Sequence, residues 1–125
     1  MKTIYVLPSK TDQVAFASGV RPPNCLVKQF STEPLVAAYL AGLEAAAGYL
    51  DEYRILEQTR TAVTVEFRTG QDRQEQDFTF TTQGEKIAFK EGLADGDGYM
   101  QPAIYAEGAP GYEQLTVLFA DAEFA

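Results

Sequence analysis

Between Glu33 and Leu50 the chain reads EPLVAAYLAGLEAAAGYL, and everything around this stretch has to be organised against it. Leu35, Val36, Tyr39, Leu40, Leu43, Ala46, Ala47 and Leu50 recur at helical spacing, which winds into one broad apolar stripe. Ser31 or Thr32 is placed to cap the N-terminus. Pro34 is tolerated in the first turn, where its missing N–H has no helical partner to lose. The alanines favour helix and keep its surface thin. Gly42 and Gly48 cost propensity and point to close approach of a neighbouring element. A thin helix with a wide apolar stripe suits packing flat on a sheet.

The remaining sequence reads as strands. Thr3 to Leu7 is a β-rich run stopped by PSKTD, and Gln13 to Ser18 alternates with Val14 and Phe16 on one face. RPPN at 21–24 is a turn, because two prolines block helix and central strand alike. Leu26 to Phe30 leads into the helix. Tyr53 to Gln58 and Thr61 to Thr69 alternate, and in the latter Val63, Val65 and Phe67 oppose Thr64, Glu66 and Arg68. GQDRQEQ at 70–76 reads as a hairpin loop before Asp77 to Thr82. Ile87 to Lys90 continues the meander, GLADGDG at 92–98 is a loop, and Ala103 to Glu107 and Leu115 to Phe119 close the sheet. The last of these also fits a helical spacing through Tyr112, Leu115, Phe119 and Ala122. The expected fold is α+β: one amphipathic helix, about 33–50, on a mostly antiparallel, meander-rich β-sheet. It forms a single globular domain over 1–125, with no internal repeat, linker or low-complexity segment.

Composition narrows function more than it defines it. A 125-residue chain that is 46% hydrophobic needs no disulfide or metal staple to fold. The absence of histidine removes Ser-His-Asp triads, Cys-His dyads and histidine-ligated metals together. Cys25 is the one cysteine and reads as a small buried hydrophobe. The start MKTIYVLPSK lacks a secretory apolar core, and no apolar run spans a bilayer. The expected location is therefore the cytoplasm, or a host cytoplasm if the chain is viral. The strand-then-capped-helix run KQFSTEPLVAAYLAGLEAA is generic for small bacterial and phage domains and holds no chemical motif.

Eighteen acids against ten bases give a charge of −8, which lacks the basic footprint of a nucleic-acid binder. Residues 1–50 sum to +1, residues 51–90 to −2, and residues 91–125 to −7 with no base at all. That last third also carries Tyr99, Tyr105 and Tyr112, and tyrosine suits interfaces by joining apolar area to a polar tip. The candidate partner-binding residues are Glu91, Asp95, Asp97, Tyr99, Tyr105, Glu107, Tyr112 and Glu113. They suit a basic protein partner met by electrostatic steering, as inhibitors, immunity proteins and nucleic-acid mimics do. No catalytic residue, metal or cofactor is expected, nor direct contact with nucleic acid or membrane, and a homodimer is possible.

Other patterns weigh less. Asp95-Gly-Asp97-Gly98 resembles the start of a calcium loop, but Tyr99 and Met100 stand where an EF-hand needs an oxygen ligand and a glycine. An irregular calcium site from Asp95, Asp97 and Glu91 is the residual version. Paired carboxylates such as Asp51 and Glu52 have no visible apolar pocket to raise a pKa. Arg54, Arg60 and Arg68 share strand parity with Glu52, Gln58 and Glu66, which reads as a mixed-charge solvent face. Two alternative functions stand beside the binding module. One is a ligand-binding or enzymatic pocket between helix and sheet, lined by Tyr39, Tyr49, Tyr53 and Cys25. The other is a subunit that self-assembles through strand edges.

Overall fold

The computed structural model of the chain describes residues 1–47 and 52–123. In chain order the elements are β1 (Lys2–Leu7), α1 (Lys10–Ala17), β2 (Leu26–Phe30), α2 (Glu33–Ala46), β3 (Glu52–Gln58), β4 (Ala62–Thr69), β5 (Asp72–Thr79), α3 (Gln83–Gly96), β6 (Ala103–Ala106) and α4 (Tyr112–Glu123). Helices and antiparallel sheets make an α+β fold. The elements fall into two compact units, residues 1–31 with 101–125, and residues 32–100.

In the first unit β1 is the centre of a three-stranded antiparallel sheet, order β2-β1-β6. Ile4, Tyr5, Val6 and Leu7 are all buried, so this strand is a continuous apolar run rather than an alternating one. Tyr5 and Leu7 share a face and join Leu115 of α4 in a small core, with Phe16, Cys25, Tyr105, Tyr112 and Phe119 around it. Helix α1 starts at a capping box: the Ser9 hydroxyl accepts from the Asp12 amide, and the Asp12 carboxylate accepts from the Ser9 amide. Asp12 is fully buried, and its other oxygen accepts from the Asn24 amide at 2.7 Å, which ties down the turn through Pro22 and Pro23.

In the second unit β3, β4 and β5 form an antiparallel meander on which Val63, Val65 and Phe67 are buried. Phe89 of α3 sits against Phe78 and Phe80, with centroids 4.5 and 5.1 Å away. The predicted mixed-charge face is present in part, with Arg60 in the β3–β4 turn outside both strands and Glu66 buried rather than solvent-facing. Glu52 opposes Arg68 and Arg54 opposes Glu66, each as a cross-strand ion pair. A bulge at Leu56 shifts the register, so Glu57 rather than Gln58 falls on that face.

Helices α2 and α3 lie side by side and run in the same direction. Leu35 reaches Gly84, Tyr39 meets Gly92, and Leu43 meets Gly96, a nearly constant offset along both helices. The contact is backbone on backbone. A Cβ on Gly42 would overlap the Phe89 carbonyl oxygen, and one on Gly92 would overlap that of Tyr39 and stand 2.8 Å from the Leu43 amide nitrogen.

These reciprocal contacts expose an internal repeat where none was expected. Phe30, Thr32, Ala38, Gly42, Leu43, Gly48 and Tyr49 recur as Phe80, Thr82, Ala88, Gly92, Leu93, Gly98 and Tyr99, fifty residues on (92 − 42 = 50). Residues 31–46 and 81–96 match position for position in helix bounds, in buried and exposed sites, and in the threonine N-cap. The topology repeats as well. β1, β2, α2 and β3 correspond to β4, β5, α3 and β6. Each central strand pairs with one strand of its own half and one of the other. Helix α1 is inserted where the second half has only the turn at Gly70, and α4 is appended at the end.

The repeat accounts for most differences from the sequence reading, which expects one helix where the described residues form four. Of GLADGDG, Gly92 to Gly96 is the end of α3, because Gly92 and Gly96 serve helix approach rather than a turn, and only Asp97 and Gly98 leave the helix. The expected strand at 87–90 lies in the same helix. Gln13 to Ser18 is α1 and its cap, started by the Ser9–Asp12 box, and Val14 is 55% exposed. Leu115 to Phe119 belongs to α4, the helical alternative. Most of GQDRQEQ is β5, an edge strand exposed on both faces, so it shows no apolar alternation. The predicted last residues of the first helix, Gly48 to Leu50, and Asp51 lie outside the described residues.

Gly42→Ala and Gly92→Ala should each lower unfolding free energy by at least about 1–3 kcal/mol, since backbone has to move to admit the methyl. Gly84→Ala meets only ordinary contacts, with Leu35 Cδ2 at 3.5 Å. It should stabilise by about 0.5–1 kcal/mol through helix propensity. Urea denaturation of the three variants measures all of these.

Candidate functional site

The acidic third divides between the two units. Residues 32–100 contain thirteen acids and six bases (−7), and the other unit contains five acids and four bases (−1). Glu91, Asp95, Asp97 and Tyr99 belong to the first of these, and Tyr105, Glu107, Tyr112 and Glu113 to the second.

Glu91 and Asp95 lie one turn apart on α3, and Asp97 is its C-cap residue. Because α2 and α3 are parallel, their C-termini sit at one end of the pair, each presenting unsatisfied carbonyls worth roughly half a negative charge. Neither helix has a basic residue in its last turn. The acids therefore reinforce a negative pole. Lys86 and Lys90 occupy the other half of α3, where Lys86 Nζ donates to the Thr59 carbonyl at 2.7 Å and Lys90 Nζ to the Gln58 side chain at 3.1 Å.

Two tyrosines back this pole. The fully buried Tyr39 donates its hydroxyl to Asp95 Oδ2 at 2.7 Å, a link from α2 to α3. Burial, that hydrogen bond, and the charges of Asp95 and Glu91 hold its pKa far above the ordinary phenol value. Tyr53 on β3 is half-buried, and its pKa is raised by burial and then by Asp97 and Asp95. Tyr99 is 37% exposed beyond the helix end, after Gly98 with φ +86°. The sequence reading missed the Tyr39–Asp95 link. Its signal was the repeat itself, in which Tyr39 aligns with Phe89 and only the tyrosine has a hydroxyl to place.

The pattern of divergence is sharper still. Glu91, Asp95 and Asp97 align with Ala41, Ala45 and Ala47, so one scaffold carries carboxylates where its duplicate carries methyls.

In the other unit, Glu107, Tyr112 and Glu113 meet around the β6–α4 loop, which lines a depression of about 530 Å³ with Gly108, Pro110 and Gln114. Tyr112 stacks obliquely on Tyr5, with centroids 5.3 Å apart, and burial, Tyr5 and Glu107 raise its pKa. Tyr105 packs edge-on to Phe16 at 5.4 Å. These two tyrosines are thus largely committed to the core, and the loop's two carboxylates are its polar offering.

The chemistry of the remaining candidates is quiet. Burial, reinforced by the Asp12 charge, pushes the Cys25 thiol up to about 11, so it is not a thiolate at neutral pH. Among the described residues no three histidine, cysteine or carboxylate side chains gather as a metal site, and no helix is long and apolar enough to cross a membrane. Of the alternative pocket lining, Tyr39 is buried against Asp95, Cys25 belongs to the other unit, and Tyr49 lies outside the described residues. No protein-family model, curated protein or solved structure matches the chain.

Tyr39 gives a pH signature. Its folded pKa is raised, so its contribution to stability is complete below the ordinary value of 10.0 and is lost as pH rises above it. The urea midpoint should fall above about pH 10, and the fall should be shallower in Tyr39→Phe, which cannot ionise. An equal fall in both proteins would assign it to other groups.

Proposed function

We propose that the chain is a small acidic, non-catalytic protein-binding module of the cytoplasm that presents carboxylates of its C-terminal third to a basic partner protein. Glu91, Asp95 and Asp97 form the principal contact, with Tyr99 at its edge. Glu107 and Glu113, beside Tyr105 and Tyr112, offer a second. The reading is carried by one observation: α2 folds into the same helix with alanines at the three positions where α3 has acids. The duplicate helix forms without carboxylates at these positions. Asp95 and Asp97 stand at the C-terminal end of α3, where the dipole disfavours negative charge, a cost that Asp95 offsets by accepting from Tyr39. Residues that a scaffold tolerates at a cost, and that its duplicate lacks, are accounted for by a binding role. The aligned helix ends and the acids would steer a basic surface toward the pole with salt-sensitive speed.

The test is capture from lysate of the cognate cell or host at low and moderate salt, with wild type beside the Glu91→Ala/Asp97→Ala double variant. That variant borrows the residues of α2 and leaves the Tyr39–Asp95 bond in place. Wild type should enrich a basic protein at low salt and lose it as salt rises. The variant should bind it about tenfold more weakly, as expected on losing close charge pairs. Equal capture by both proteins, or no basic partner under either condition, would overturn the proposal.

A further inference from the structure

Helices α1 and α4 are the two elements that the internal repeat does not supply, and a furrow of about 610 Å³ runs between them. Phe16, Gly19, Gly111, Gln114, Val117 and Leu118 line it. Val117 is 66% exposed. A single exposed valine on a surface needs no explanation. This one sits at the edge of an apolar furrow, one helical turn after Glu113, so the carboxylate and the isopropyl group share a face of α4. Gly111 keeps the floor open: its φ is +96°, and a Cβ there would stand 2.9 Å from the Tyr105 ring. The furrow also adjoins the depression at the β6–α4 loop, since Gly111 and Gln114 line both. An apolar slot therefore adjoins the depression that Glu107 and Glu113 line.

We propose that this furrow docks a basic amphipathic segment of the partner protein. An aliphatic or aromatic side chain of that segment seats against Phe16, Val117 and Leu118, and its lysines or arginines reach Glu107 and Glu113. The inference rests on the binding reading above and adds a second contact that is tested separately. Charge selects the occupant. Two acids line the depression that adjoins the slot, and a second copy of this chain would bring eight further net negative charges to it. A groove that takes an apolar anchor while its rim reads charge is a familiar way to bind such a segment.

The probe is a short synthetic helix of leucine and lysine, titrated into isotope-labelled full-length protein and followed by backbone amide resonances. Its leucine–glutamate counterpart is the control. The lysine peptide should move Gly111, Gln114, Val117 and Leu118, and the glutamate peptide should not. Val117→Asp, at an exposed site where folding is not at risk, should weaken binding at least about tenfold, and Glu113→Lys by a similar factor. Shifts confined to residues 91–99 would overturn the furrow while leaving the acidic pole standing. Equal binding of both peptides, indifference to Val117→Asp, or no binding at all would also overturn it. So would concentration-dependent self-association centred on Val117, which would give the face to a second copy. Loss of the lysate partner from the Glu91/Asp97 variant is unaffected by any of these results, so failure of the two proposals can be told apart.

Discussion

The backbone-to-backbone approach of α2 and α3 is the constraint on which the rest of the molecule turns. Two helices come this close only when neither has a Cβ at the crossing, and Gly42 and Gly92 meet that demand reciprocally. The contact fixes the helices as a parallel pair. Each helix then links the two sheets in opposite order: β2 precedes α2 and β3 follows it, while β5 precedes α3 and β6 follows it. Every sheet thereby draws its third strand from the other half of the chain. The parallel arrangement also sets the electrostatics. Antiparallel helices would cancel their end charges, whereas parallel ones add them, and the acids of α3 fall where the sum is negative.

How much of this was legible in the sequence depended on what each pattern had to satisfy. Segments 3–7, 26–30 and 53–58 read as strands because β-rich or alternating residues there pack on one or both faces. The helix from Glu33 read clearly because its stripe is apolar and its glycines are diluted by alanine. Its duplicate was hidden. α3 replaces Leu35, Val36 and Leu40 with Glu85, Lys86 and Lys90, which erodes the stripe, and its glycines imitate a turn. Lys86 is buried along its stem with its ammonium on a carbonyl oxygen, a fit that hydropathy cannot register. The repeat was available to direct comparison, since Gly-Leu follows Ala-Tyr in one half and Ala-Phe in the other at identical spacing. Site residues fared similarly. The acids and Tyr99 could be picked out by type, but their division between two units, and the commitment of Tyr105 and Tyr112 to a core, follow from topology rather than composition.

A duplicated scaffold carries its own control. Where the halves agree, as at the threonine caps and at Gly42 and Gly92, the shared residue answers a shared structural demand. Where they differ, the fold has shown that it accepts the alternative, and the difference calls for another cause. Among the differences between the halves are three carboxylates on α3 against three alanines on α2, the Tyr39 hydroxyl that meets one of them, and the additions α1 and α4. These differences coincide with a negative helix pole in one unit and, in the other, an apolar furrow that adjoins a depression lined by Glu107 and Glu113. Two independent departures from the repeat thus each place exposed carboxylates at the surface, and the proposed binding of a basic partner rests on them. Both are also woven into the packing, since α4 supplies Leu115 to the core with Tyr5 and Leu7, and Asp95 accepts the Tyr39 hydroxyl.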